Sequence, residues 1–317
     1  MHVLLVGPGA LGCLLASVLY RGTEGTDTRL SLLDHNPDRA EFLNRRGILY
    51  DLHDEQRCIP LAVTADPLTL GPVDVLILCV KSYDIPTSLT ACQHLLQEGT
   101  LLLFMQNGIA HLDSGLPTGA AAIAFGTTTE GATLLARGHV RHAGSGATHL
   151  GFLARPGDRS VMLLERTAGI FRRGGLLTTV TDDIMNRLWA KLFINVGINA
   201  LTATLGCANG DLLTIPGVIP RMQAAVAEAV EIARARGIHI EENPFAATVR
   251  VCEKTARNIS SMLQDVRQQR RTEIDAINGA VLKGGQALGI ATPENALLVR
   301  QVKEIEAGYG AAPQGEG

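Results

Sequence analysis

The stretch that most constrains this 317-residue chain is Gly7-Pro8-Gly9-Ala10-Leu11-Gly12, set directly after an apolar run at 3–6 and opening a helical apolar pattern over 10–20. In that setting a G-x-G-x-x-G reads as a strand-to-helix turn shaped for a dinucleotide. The first glycine permits the tight turn and the second lets backbone approach a pyrophosphate. The third lets helix and strand pack, and the helix N-terminus offers unpaired N–H groups to the phosphates. A second apolar run, 29–33, ends at Asp34, about 20 residues past the motif, where the fingerprint places an acidic residue for the ribose hydroxyls. The competing reading is a glycine-rich turn that holds no ligand.

The pattern around this loop extends it into a domain. Short apolar runs at 73–80 and 100–104 alternate with helical stretches at 38–46 and 85–97, the signature of a parallel sheet covered by helices. Two β-like runs within 48–63, on either side of Asp54-Glu55, read as an inserted hairpin. Segments 122–127, 139–142 and 149–152, broken by glycines, read as the sheet continuing through short turns. From about Thr181 apolar residues recur at helical spacing over 184–205, 219–236, 246–257, 274–287 and 296–307, with Thr292-Pro293 as a capped helix start and a frayed tail from Gly308. The expected fold is α/β: an N-terminal Rossmann, doubly wound sheet over 1–180 and a C-terminal all-helical domain over 181–317. A length of two domains implies a cleft.

Composition removes several function classes. A net charge of −3, with basic residues only in pairs such as Arg45-Arg46 and Arg270-Arg271, offers no footprint for nucleic acid. The six cysteines form no C-x-x-C pair and the nine histidines no H-E-x-x-H, so reduced structural thiols and no metal are expected. There is no signal-peptide pattern after Met1 and no run of ~18 consecutive apolar residues, so the expectation is a cytoplasmic protein with no membrane partner.

Cofactor choice turns on charge near the ribose. A carboxylate at Asp34 accepts hydrogen bonds from both ribose hydroxyls and repels a 2′-phosphate, which favours NAD(H). Arg39 and Lys81 bring positive charge to the same region. Lys81, ending an apolar strand, reads either as a solvated strand end or as a cofactor contact.

Outside the loop, the most informative segment runs from Trp189 to Asn199. Lys191, Asn195 and Asn199 stand at i, i+4 and i+8, laying an ammonium and two amides along one face of an otherwise apolar helix. If that face is buried, desolvation lowers the lysine pKa and readies it to protonate a carbonyl oxygen as hydride arrives at carbon. If it is exposed, the stripe is an ordinary surface. Two further clusters stay open between ligand binding and local structure: Gln106-Asn107-Gly108 after a strand end, and the polar run 258–265 with 272–275, in which Ser260 and Thr272 are candidate helix caps.

Taken together, the glycine loop, Gln106-Asn107-Gly108, Gly126-Thr127-Thr128-Thr129, the Trp189 to Asn199 segment, Cys207-Ala208-Asn209-Gly210, and 258–265 with 272–279 resemble the ketopantoate reductase family, in order and over nearly the whole chain. The resemblance implies NAD(P)H-dependent reduction of 2-dehydropantoate to pantoate, in pantothenate biosynthesis. It also implies a helical domain used for substrate binding and dimerisation, hence a possible homodimer. It makes Lys191 the general acid, with Glu273 its catalytic partner. Asn107, Asn195, Asn199, Asn209 and Ser261 become substrate contacts. The cofactor contacts become Gly7, Gly9, Ala10, Leu11, Gly12, Asp34, Lys81, Asn107 and Glu273, with Lys81 meeting a 2′-phosphate. NADPH-using members tend to carry an arginine where this chain has Asp34, so dual or NADH-leaning use is expected. The alternatives are a reductase of another branched 2-oxo acid and a non-catalytic NAD(P)H-sensing Rossmann protein.

Overall fold

A computed structural model describes residues 1–52, 55–113, 121–154 and 156–309. The chain folds as two compact units, one of residues 1–106 with 115–184, the other of 107–114 with 185–317. The linear division at 180 leaves 107–114 with the first half, whereas in the structure they pack with the second unit.

In chain order the first unit comprises β1 (His2–Val6), α1 (Ala10–Thr23), β2 (Arg29–Leu33), α2 (Pro37–Arg46), β3 (Ile48–Leu52), β4 (Glu55–Ile59), β5 (Ala62–Thr64), β6 (Val75–Leu78), α3 (Ile85–Cys92), β7 (Leu101–Phe104), β8 (Ala122–Thr128), β9 (Gly131–Ala136), β10 (His139–Gly144), β11 (Ala147–Gly151), α4 (Asp158–Arg173) and β12 (Leu177–Val180). Among the described residues, eight strands form one sheet in the order β12-β11-β8-β7-β6-β1-β2-β5. Its pairs are parallel except β8 with β11. The uninterrupted apolar runs of β1, β6 and β7 follow from burial on both faces, since Val3, Leu4, Leu5, Ile77 and Leu102 are fully inaccessible. From β1 the order runs outward through β2 on one side and through β6 on the other. The sheet therefore switches direction beside β1, where ligands of doubly wound folds bind.

The hairpin expected around Asp54-Glu55 is present as β3 and β4, registered Ile48 to Ile59, with residues 53–54 outside the described set. It joins β9 and β10 in a second sheet, which packs on α1 and explains why that helix is apolar nearly all round. Helix α4 and strand β12 were not anticipated.

The second unit holds α5 (Ile184–Leu205, its first residue counted with the first unit), α6 (Val218–Ala235), α7 (Pro244–Lys254), α8 (Ser261–Arg267), α9 (Asn278–Leu288) and α10 (Pro293–Ala307). By length and composition α5 would suffice to cross a membrane, but most of its apolar stretch is buried inside the protein, as in a core helix. The helix expected over 274–287 is broken. A short 3-10 turn, Ile274–Ala276, precedes α9, and Ile277 between them has non-helical backbone (φ −105°, ψ −91°). Thr292 does not cap α10 through its side chain. The cap comes instead from Glu228 of α6, whose carboxylate accepts from the N–H groups of Glu294 (2.8 Å) and Asn295 (2.9 Å). The tail expected to fray from Gly308 falls outside the described residues beyond Tyr309.

Candidate active site

In the first unit the glycine loop leaves β1 at the switch in strand order. Gly7 has φ +96°, and a side chain there would press against Val80; a Cβ on Gly12 would fall 2.0 Å from the Gly7 carbonyl oxygen. Both positions therefore need glycine for the turn and for close packing of α1 on the sheet. Gly9 differs: an added Cβ would meet nothing within 4 Å. The space over the first turn of α1 is open, and there the N–H groups of Ala10, Leu11 and Gly12 have no helical acceptor. Residues and space fit a pyrophosphate.

Asp34 follows β2 and is completely buried. Its carboxylate is bound by the Arg39 guanidinium, through Nε to Oδ2 and through Nη2 to Oδ1 at 2.7 Å, while the Asn36 N–H donates to Oδ1 at 3.0 Å. Asn36 also caps α2 by accepting from the Arg39 N–H, which fixes the helix turn that carries Arg39. Lys81 sits half-buried after β6, starting the short turn Ser82–Asp84.

In the second unit Lys191, Asn195 and Asn199 lie on one face of α5. Asn199 is buried and the other two are half-buried, so the stripe is not an open surface. The Lys191 ammonium donates to Asn107 Oδ1 at 2.8 Å, and Asn107 Nδ2 donates to Glu273 Oε2 at 3.3 Å. Burial pushes the Lys191 pKa down to about 8, against the opposing pull of the Glu273 charge.

Asn107 reaches Glu273 because two chain segments meet backbone to backbone. The Ile109 N–H donates to the Ala276 carbonyl at 3.2 Å. Gly108, at φ +75°, passes so close that an added Cβ would lie 2.0 Å from the same oxygen. The ambiguous Gln106-Asn107-Gly108 motif is thus both a turn and the placement of an amide.

The remaining candidates sit apart from this chain of contacts. Asn209 is buried, donating from its backbone to the Asn258 carbonyl (3.0 Å) and from its side chain to Thr255 Oγ1 (2.9 Å), and it braces the segment before α8. Ser261 is an exposed first residue of α8. Its neighbour Ser260 is the buried cap, accepting from the Leu263 N–H (3.1 Å) and from the Thr202 hydroxyl (2.6 Å). The partnership of Arg39 with Asp34 is not signalled by the sequence, since neither spacing nor composition shows which charges meet.

The chain is similar to known proteins over most of its length. Residues 3–155 match the family model described as ketopantoate reductase PanE/ApbA, and residues 183–306 match its C-terminal counterpart. A 2-dehydropantoate 2-reductase of Halobacterium salinarum is 34% identical over 297 residues, covering 92% of this chain and 95% of that protein. Among solved structures, a PanE/ApbA family ketopantoate reductase from Ralstonia eutropha JMP134 superposes with a TM-score of 0.85 at 29% identity, covering 97% of this chain and 99% of that one. A D-mandelate dehydrogenase, solved with NADH and anilino(oxo)acetate, gives a TM-score of 0.87 at 25% identity with the same coverage.

Proposed function

Because this chain belongs to the ketopantoate reductase family, we propose that it reduces 2-dehydropantoate to pantoate, using a reduced nicotinamide dinucleotide. The observation that carries the proposal is the desolvated Lys191 joined through Asn107 to Glu273.

A nicotinamide held by this chain would supply the hydride for the ketone carbon. The protein must deal with the negative charge that then develops on the ketone oxygen. Lys191 does so by holding its ammonium against that oxygen and giving up one proton from Nζ; water later restores it. A pKa near 8 leaves the ammonium mostly charged at neutral pH yet more acidic than a solvated lysine, which suits a general acid. Asn107 accepts one of the three ammonium hydrogens, so the other two remain to face substrate. Glu273 keeps Lys191 from losing its charge altogether and accepts a hydrogen bond from the distal substrate hydroxyl. Asn195 and Asn199 bind the substrate carboxylate or hydroxyl. Asn209 and Ser261 are assigned to the same pocket by resemblance, with Asn209 acting from the scaffold.

The glycine loop and the N-terminus of α1 hold the pyrophosphate, with Lys81 toward a 2′-phosphate. The Asp34 argument for NADH is modified by Arg39. The carboxylate charge is already compensated, so its repulsion of a 2′-phosphate is much reduced. Dual use follows: while Arg39 stays over Asp34 its charge lets the site take a 2′-phosphate, and when Arg39 swings aside the Asp34 carboxylate is uncovered to accept the ribose hydroxyls.

The likeness to a D-mandelate dehydrogenase favours a second reading, in which the substrate is a different branched or aromatic 2-oxo acid. Initial rates over a panel of 2-oxo acids, each with NADH and with NADPH, separate the two. Ketopantoate is expected to give the highest kcat/KM; a phenyl-substituted 2-oxo acid outpacing it would transfer the assignment, and no turnover of any would remove the reductase reading.

A further inference from the structure

The segment carrying Glu273 is gripped from both sides by the last helix. Glu306, near the end of α10, accepts at Oε1 from both the Thr272 N–H (2.7 Å) and the Thr272 hydroxyl (2.7 Å). Thr272 Oγ1 in turn accepts from the Ile274 N–H at 3.2 Å, so one carboxylate oxygen reaches the residues before and after Glu273. On the far side, Lys303 of α10 donates to Asp275 Oδ2 (2.7 Å) and to Glu306 Oε2 (3.1 Å), closing a bracket over 272–275. Thr272, Glu273 and Ile274 are all buried, so this backbone can satisfy its polar groups only through such partners.

Glu273 precedes a 3-10 turn rather than sitting within a helix, and its carbonyl accepts from Ala276 (3.0 Å) and Ile277 (3.1 Å). The bracket from α10 fixes the backbone on either side of Glu273. We propose that Glu306, acting through Thr272, is a positioning residue that holds the Glu273 carboxylate on Asn107 and thereby sets the acidity of Lys191; this rests on the reading of Lys191 as the general acid.

Among the described residues, the charged and titratable groups at this cluster include Lys303 and Glu306 of α10, Arg271 and Asp275 beside Glu273, and Tyr309 and Asp265 at its edge, Asp265 being paired with Arg270. Burial pushes the Glu306 carboxyl up, but the Thr272 hydroxyl and N–H and the Lys303 charge outweigh it and leave it below the usual value. Glu306 is thus ionised wherever Lys191 titrates, and its grip on Thr272 is constant over the range tested.

The experiment is the pH dependence of kcat/KM for ketopantoate in the wild type, Glu306→Ala, Glu306→Gln, Thr272→Val, Glu273→Gln and Lys191→Ala, with the melting temperature of each. Glu306→Ala is expected to lower kcat/KM about tenfold at neutral pH, since a small misplacement of a reacting constellation costs that much or more. It should also move the alkaline limb to lower pH, in the direction Glu273→Gln moves it. Glu306→Gln keeps an acceptor for Thr272 and should restore most of both. Thr272→Val, which loses only the hydroxyl, should shift the limb less but in the same sense, and it serves if Glu306→Ala does not fold. A limb that stays at the wild-type pH in Glu306→Ala and Thr272→Val while the melting temperature falls would overturn the proposal, leaving Glu306 a structural clamp. Unchanged turnover in Lys191→Ala would instead remove the general-acid reading on which it stands.

Discussion

Single residues decide the chemistry here through what neutralises them. Asp34 was legible as the acidic residue at the end of β2, but its pairing with Arg39 was not, because the sequence shows two charges five apart and not which atoms meet. With both carboxylate oxygens engaged, Asp34 is one half of an ion pair, and the proposed dual cofactor use depends on both residues. Replacing Arg39 by alanine leaves a buried carboxylate without its partner, free to accept ribose hydroxyls and to repel a phosphate. Arg39→Ala is therefore expected to lower kcat/KM for NADPH about tenfold or more relative to NADH, a discrimination worth roughly 1.4 kcal/mol. Equal losses with both cofactors would show that Arg39 only supports the fold. The face shared by Lys191, Asn195 and Asn199 is more readily read, since their spacing is a property of any helix. Its burial depends on what packs over that face, which the spacing does not contain.

At the scale of elements, legibility followed burial. The strands with both faces covered, β1, β6 and β7, were evident as apolar runs. The missed β12 lies at the sheet edge with Leu177 largely exposed, and four residues are too few to show a period. The break at Ile277 was hidden because 274–287 keeps helical spacing of apolar residues on either side of it. Helix α10 shows the same limit from the other direction: Thr292-Pro293 marks its start correctly, but the cap is supplied by Glu228 from α6, more than sixty residues away in sequence. Glu228 also accepts from the Asn295 side chain (2.7 Å), which receives a hydrogen bond from Asn278 (3.0 Å). Glu228→Ala leaves these buried donors unsatisfied and is expected to destabilise the protein by about 1–3 kcal/mol in denaturant unfolding. A change below about 0.5 kcal/mol would mean that water or Thr292 takes over the cap.

For the molecule as a whole, the α/β half and the helical half were visible in the switch of hydrophobic period near residue 181. The membership of 107–114 in the second unit was not, because it depends on contacts such as Asn107 to Glu273, 166 residues apart. Cofactor binding to the folded chain alone should raise its stability by about 2.7 kcal/mol at about 100 times Kd, so both NADH and NADPH are expected to raise the melting temperature. A response to neither would argue against the glycine loop as a dinucleotide site. Turnover tests the chain as a whole, and with it the proposed role of Lys191 as the proton donor. The measurement is the initial rate of ketopantoate reduction against pH in the wild type and in Lys191→Ala. The wild type should lose activity as pH rises through about 8, where the lysine gives up its proton, and the variant should run about two to four orders of magnitude slower with that limb gone. A variant within a few-fold of the wild type, or one that keeps the same limb, would contradict the account.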